Sequence, residues 1–157
     1  MKYKRKNNKN NKIMKLNNIS NTILQKNNNK ILKIIFQSFG FKYKIPSYTN
    51  YLFDVRFLPN PYWKKKLKKL NGLNKKVIKF IEKQKKFNIF IEKTKKYINY
   101  LINISKKNKC ELIIISFGCT GGQHRSVYIV EKLYNIFKVK GYNIITIHNS
   151  LLNKKII

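Results

Sequence analysis

Cys119 and Arg125 are separated by five residues in the stretch GCTGGQHRS, and Ser126 follows at once. Two kinds of chemistry fit that spacing. In the first, a helix N-terminus acidifies the Cys119 thiol, which attacks a phosphoryl group held by Arg125. Ser126 would then aid turnover, and Asp54, the one aspartate in the chain, would be the general acid. In the second, the loop holds an anion without reacting. Its backbone N–H groups converge at the positive end of a helix, and Gly121 and Gly122 let a ligand come close. Thr120 and Ser126 offer hydroxyls, His124 a charge or a proton, and Arg125 a planar fork for phosphate. The binding reading is the stronger one, because a C-x5-R match is short. Nucleotide hydrolysis by a P-loop is excluded for this stretch, which lacks the G-x-x-x-x-G-K-[ST] pattern.

The elements around the loop must place it at the carboxyl ends of the strands. The run ELIIISF, 111–117, has the continuous apolar character of a central strand covered on both faces. A helix follows, with Ser126, Val130, Leu133 and Phe137 on one side, and Gly141 is its expected stop. ILKIIFQSF (31–39), YLFDVRF (51–57) and YNIITIH (142–148) read as further strands, the last ending at His148. Asp54 and Arg56, two apart on a strand, share a face. LPNPYW, with its two prolines, must be a turn. Residues 75–106 are helical, with Phe87, Phe90, Ile91, Ile98, Leu101 and Ile102 at helical spacing and a break near Gln84. Alternating strands and helices predict an α/β domain with a mostly parallel sheet flanked by helices. Ligands of such sheets sit at the carboxyl ends of strands, where GCTGGQHRS lies and where Asn60 and Tyr62 of LPNPYW can reach the same crevice.

Composition narrows the partners. The chain has 157 residues, 43% of them hydrophobic, which is enough for one packed domain. Lysine and arginine number 36 against 5 acids, a net charge of +31 that favours polyanions. Lys, Asn, Ile, Tyr and Phe share AT-rich codons, so part of the lysine excess reads as compositional drift, and a decayed basic scaffold with only charge-driven RNA affinity is a further alternative. Against that background the three arginines, Arg5, Arg56 and Arg125, stand out. Residues 1–30 form a Lys/Asn-rich basic tract, read as a mobile arm, and 31–157 form the folded domain. Cys110 and Cys119 would lie about 30 Å apart along a strand, too far for a disulfide, which fits a reducing cytoplasm. No His/Cys set has zinc spacing, and no metal or cofactor is expected. No apolar run approaches the about 18 residues of a membrane span, so no membrane partner is expected.

SFGFKYKIP, FDVRFLPNPYW, NGLNKKV and GCTGGQHRSVYIVEKL occur in the order and approximate spacing of the C-terminal domain of the RapZ, or RNase adapter protein, family. The chain resembles that domain over about residues 31–152. The resemblance implies a phosphofructokinase-like α/β fold, binding of structured RNA, and sensing of an amino-sugar phosphate such as glucosamine-6-phosphate. It implies a regulatory role in amino-sugar metabolism, in which RNA is presented to an endoribonuclease, RNase E in the family, and an adapter in place of an enzyme. It places the sugar phosphate on Cys119, Thr120, Gly121, Gly122, Gln123, His124, Arg125 and Ser126, with Asp54, Arg56, Asn60 and Tyr62 nearby. RNA contacts are expected at Lys64, Lys65, Lys68, Lys69 and His148, and homo-oligomers are expected. Tyr62 stands where some relatives have histidine, and Lys68 and Asn71 stand where the family has arginine and threonine. These residues include no counterpart of the family's P-loop domain, so the resemblance carries no ATP or GTP binding to them.

Overall fold

A computed structural model describes residues 31–152. The expected basic arm, 1–30, lies outside the described residues. Four strands, β1 (Lys33–Gly40), β2 (Tyr51–Asp54), β3 (Leu112–Cys119) and β4 (Ile144–His148), form one sheet in the order β2-β3-β1-β4. Every pairing is parallel. The helices are α1 (Lys75–Glu82), α2 (Lys85–Lys107), α3 (Arg125–Lys138) and the short α4 (Asn149–Leu152). The expected α/β architecture is therefore present, with β3 inside the sheet.

The sheet forms where the β-branched and aromatic runs lie. Ile34, Phe36, Ile115 and Phe117 are fully buried, and Phe36 meets the Phe117 and Phe137 rings edge-on. α2 buries Phe87, Ile91, Ile98, Leu101 and Ile102, one stripe of an amphipathic helix. The break between α1 and α2 falls at Gln84, as the spacing predicts. α3 buries Val127, Ile129, Val130, Leu133 and Phe137. Gly141, at φ 76°, closes the turn after α3 by donating its N–H to Lys138 O at 2.9 Å.

Parallel strands normally need a long crossover, yet only residues 41–50 join β1 to β2. Register explains the economy. β1 ends with Gly40 opposite Cys119, and β2 starts with Tyr51 opposite Ile115, so the chain steps back only a few residues. Gln37 ties this connection down, donating to Tyr48 O and Ser116 Oγ at 2.8 Å each.

β2 is shorter than the 51–57 predicted. The Asp54 carboxylate accepts the Arg56 N–H at 2.9 Å, which turns the chain out of the ladder. Asp54 and Arg56 are thus neighbours through a turn, and not through strand alternation.

β1 leads to β2 on one flank, and β3 leads through α3 to β4 on the other. The chain reverses its winding between β1 and β3, which opens a crevice at their carboxyl ends.

Candidate anion-binding loop

Residues 120–124 join the end of β3 to the start of α3, at that crevice. The two glycines of the loop differ in kind. Gly122 has φ 63°, and a Cβ there would lie 2.1 Å from Ser150 Oγ and 2.5 Å from the Gly40 amide nitrogen. Only glycine fits. A Cβ on Gly121 would meet nothing within 4 Å, so this glycine borders open space. Thr120 beside it is exposed. The first amides of any helix lack intrahelical acceptors, and His124, at the cap position of α3, makes no side-chain capping bond. An open glycine edge and an exposed hydroxyl thus lie together at the N-terminal, positive end of α3.

Arg125 does not close over this edge. Its guanidinium is buried, the residue being 3% exposed. Nη1 donates to Arg56 O at 3.0 Å and to Leu58 O at 2.8 Å, and Nη2 donates to Thr120 Oγ1 at 3.1 Å. Nε is buried without a hydrogen-bond partner among the described residues. Burial pulls the pKa of Arg125 down, and Cys119 and then Asp54 oppose that shift. The sequence predicts a phosphate fork here; these three bonds also make Arg125 a fastener that holds the Arg56–Leu58 turn against the loop.

Its neighbours act alike. His124 is also buried, and its Nε2 donates to Leu67 O at 3.3 Å. Gln123 O accepts the Gly72 N–H at 2.8 Å. A Cβ on Gly72 would lie 2.3 Å from His124 O, so glycine is needed for this approach. Segment 56–72 is thus stitched to the loop at both ends.

Cys119 is buried, with Sγ 3.2 Å from Ser126 Oγ, and Ser126 in turn donates to Phe39 O at 3.4 Å. The thiol faces the packed interior of the loop.

On the outer side, Asp54 and Arg56 form a two-point ion pair. Arg56 Nε lies 2.9 Å from Oδ2 and Nη2 2.6 Å from it, with both side chains about half exposed, at 42% and 51%. The guanidinium also lies over the Phe41 ring at 4.2 Å. The hydrogen bond from Arg56 holds the Asp54 carboxyl below its usual range.

A family model described as the RapZ C-terminal domain matches residues 32–152. The chain belongs to that family. Among curated relatives, a nucleotide-binding protein of Pasteurella multocida is 48% identical over 126 residues, covering 80% of this chain and 44% of its own length. The RNase adapter protein RapZ of Hamiltonella defensa is 41% identical over 124 residues, covering 79% of this chain and 44% of its own. The protein of that name from Yersinia enterocolitica is 39% identical over the same length and with the same coverage. The chain spans less than half the length of these RapZ relatives.

In this RapZ C-terminal domain the remaining predicted site residues are scattered. Asn60 caps the 3-10 turn Pro61–Trp63, its Oδ1 accepting the Tyr62 N–H at 3.3 Å. Tyr62 is exposed, with Lys68 Nζ 4.7 Å from its ring centre. Lys64, Lys65 and Lys69 are exposed on the same segment. The His148 ring is engaged through both nitrogens. Its Nδ1 lies 2.8 Å from Ser38 Oγ and its Nε2 2.9 Å from Glu131 Oε1, which joins β1, β4 and α3.

Two features escaped the sequence reading. One is a cleft of about 300 Å³ lined by Tyr43, Lys44, Ser47, Asn149 and Ser150 among others. The other is Trp63, 78% exposed. Its being the one tryptophan of the chain was the available signal. Among the described residues, no group of three His, Cys, Asp or Glu could hold a metal, and no helix is long and apolar enough to cross a membrane.

Proposed function

We propose that this domain is the binding module of an RNase adapter. It would take a phosphorylated amino sugar such as glucosamine-6-phosphate at the 120–124 loop, and structured RNA on the basic segment 64–69. The observation that carries the first half is the open Gly121 edge at the N-terminal end of α3, with the exposed Asp54–Arg56 pair at the end of the strand paired to β3. Backbone amides and the Thr120 hydroxyl would donate to the phosphate oxygens. Arg56 would add charge and Asp54 would take an ammonium, so the pair would complement a ligand that carries both signs.

The second half draws on the net charge of +31 and on the name RNase adapter protein that relatives carry. An endoribonuclease partner, a homo-oligomer and a cytoplasmic location belong to the same proposal. Because segment 56–72 is stitched to the loop, ligand and RNA would be coupled through it.

A cysteine phosphatase is the weaker reading, since Cys119 is 2% exposed and three donors of Arg125 are already taken.

Calorimetric titration with glucosamine-6-phosphate, and with inorganic phosphate as control, tests the proposal. Binding that prefers the sugar phosphate, and that Gly121→Ala weakens without unfolding, is expected. Equal weak binding of both ligands, unaffected at Gly121, would sink the sensor reading.

A further inference from the structure

Trp63 is held out into solvent by a rigid device. Pro61 is buried and begins the 3-10 turn, Asn60 caps it, and the Lys64 N–H closes it on Pro61 O at 3.0 Å. The Tyr62 ring stands edge-on to the indole, at 5.5 Å between centroids and 82° between planes. The indole stays 78% exposed beside that ring, and Lys68 covers part of Tyr62.

Keeping so large an apolar ring wet costs solvation free energy, and its surroundings identify what would cover it. An interface core that meets another protein is depleted of charge. Here Lys64, Lys65 and Lys69 follow on the same segment, all exposed. A second copy docked through this same patch would set its own Lys64, Lys65 and Lys69 against these and be repelled at this face. A partner that is both polyanionic and rich in flat faces fits both halves of the patch.

We infer that Trp63, supported by Tyr62, is a stacking platform for unpaired nucleobases, with the Lys64, Lys65, Lys68 and Lys69 ammonium groups following the phosphates. The RNA partner then carries a single-stranded stretch at this face, beyond the structured element that backbone charge alone would hold. Stacking of this kind tolerates any base, because every base has a π-face. This inference rests on the RNA-binding half of the proposed function.

The chain is its own reporter, since its fluorescence at the red edge of excitation comes from one tryptophan and not from its ten tyrosines. A short oligouridylate, a blunt RNA duplex and inorganic polyphosphate are titrated into the full chain at matched salt. The expected result is strong quenching of Trp63 by the single strand and little by the duplex or by polyphosphate. Trp63→Ala should weaken oligouridylate binding on the order of tenfold and leave polyphosphate binding unchanged. Trp63→Phe should restore most of the loss, and Trp63→Leu should not.

Failure of either RNA to outbind polyphosphate would remove the RNA reading itself, and the platform with it. RNA that outbinds polyphosphate while Trp63 stays silent, and while Trp63→Ala binds normally, would overturn the platform alone. Quenching by the acidic polyphosphate as strong as by RNA would also overturn it, and would point to an acidic partner without bases.

Discussion

Replacing Arg125 by alanine tests the reassignment of that residue from ligand clamp to internal fastener. The guanidinium makes three hydrogen bonds, to Arg56 O, Leu58 O and Thr120 Oγ1, from a buried position. Bonds from a charged donor contribute about 1.5–3 kcal/mol each, so the gross loss is roughly 5–9 kcal/mol. Removing a buried cation also relieves its desolvation cost, the same cost that pulls the Arg125 pKa down. Water reaches the exposed Arg56 turn and re-satisfies part of what is orphaned there. The expected net destabilisation is about 3–5 kcal/mol, a large share of what a domain of this size has. Arg125→Lys keeps the charge but not the fork. One ammonium cannot serve both carbonyls in that geometry, so about 1–2 kcal/mol should be lost. Urea unfolding followed by circular dichroism reads both variants, with the slope compared to confirm a common unfolded state. Alanine costing less than about 1 kcal/mol, together with loss of sugar-phosphate binding, would refute the fastener argument and return Arg125 to the ligand.

The two loop glycines should part company. Gly122→Ala is expected to destabilise by about 2–4 kcal/mol, since its Cβ meets Ser150 Oγ and the Gly40 backbone at positive φ; thermal unfolding checks this. Gly121→Ala should stay within about 0.5 kcal/mol of the parent by the same measurement. Tyr128 donates to Glu82, and burial first, then that carboxylate, raises the phenol far above its ordinary 10.0. A raised folded pKa leaves this stability intact below pH 10.0 and removes it as pH climbs further. An alkaline stability profile should therefore fall in the parent and flatten in Tyr128→Phe. Glu82 shifts the other way, lowered first by the Tyr128 hydrogen bond and then by Lys132. Its contribution is present above its ordinary 4.5 and lost as pH falls through the lowered value, so Glu82→Gln should blunt the acid limb of the same profile. His148→Ala leaves buried Ser38 without its ring partner and should cost about 1–3 kcal/mol by urea unfolding. Unchanged RNA affinity in that variant would separate His148 from the RNA contacts expected of it.

Much of the scaffold was legible in the sequence because it rests on periodicity. The apolar run of β3, the stripe from Phe87 to Ile102 and the stop at Gly141 each carry a local signature. The end of β2 does not. Val55, Arg56 and Phe57 continue an acceptable alternation, and only the Asp54 side chain, by capturing a backbone N–H, stops the ladder. The site was half legible. Scarce residue types located the loop, but type cannot reveal direction. Arg125 points at carbonyls 69 and 67 positions away in the chain, a tertiary choice with no local trace. Gly121 and Gly122 are likewise identical as letters, and one sits against a wall while the other borders open space. Trp63 escaped because an aromatic beside two prolines reads as part of a turn and not as a surface.

The two cysteines sit at opposite ends of one strand region and differ in access, Cys110 exposed and Cys119 buried against Ser126. A thiol reagent applied to the folded chain should count one group at once. The second becomes available only when the end of β3 parts from the start of α3, the junction that shapes the loop. Its rate of labelling is thus a clock for the opening of that junction, read without any added probe. A ligand that settles on the loop would slow this clock, whatever the ligand is, and the amount of slowing would measure how tightly it holds the closed form.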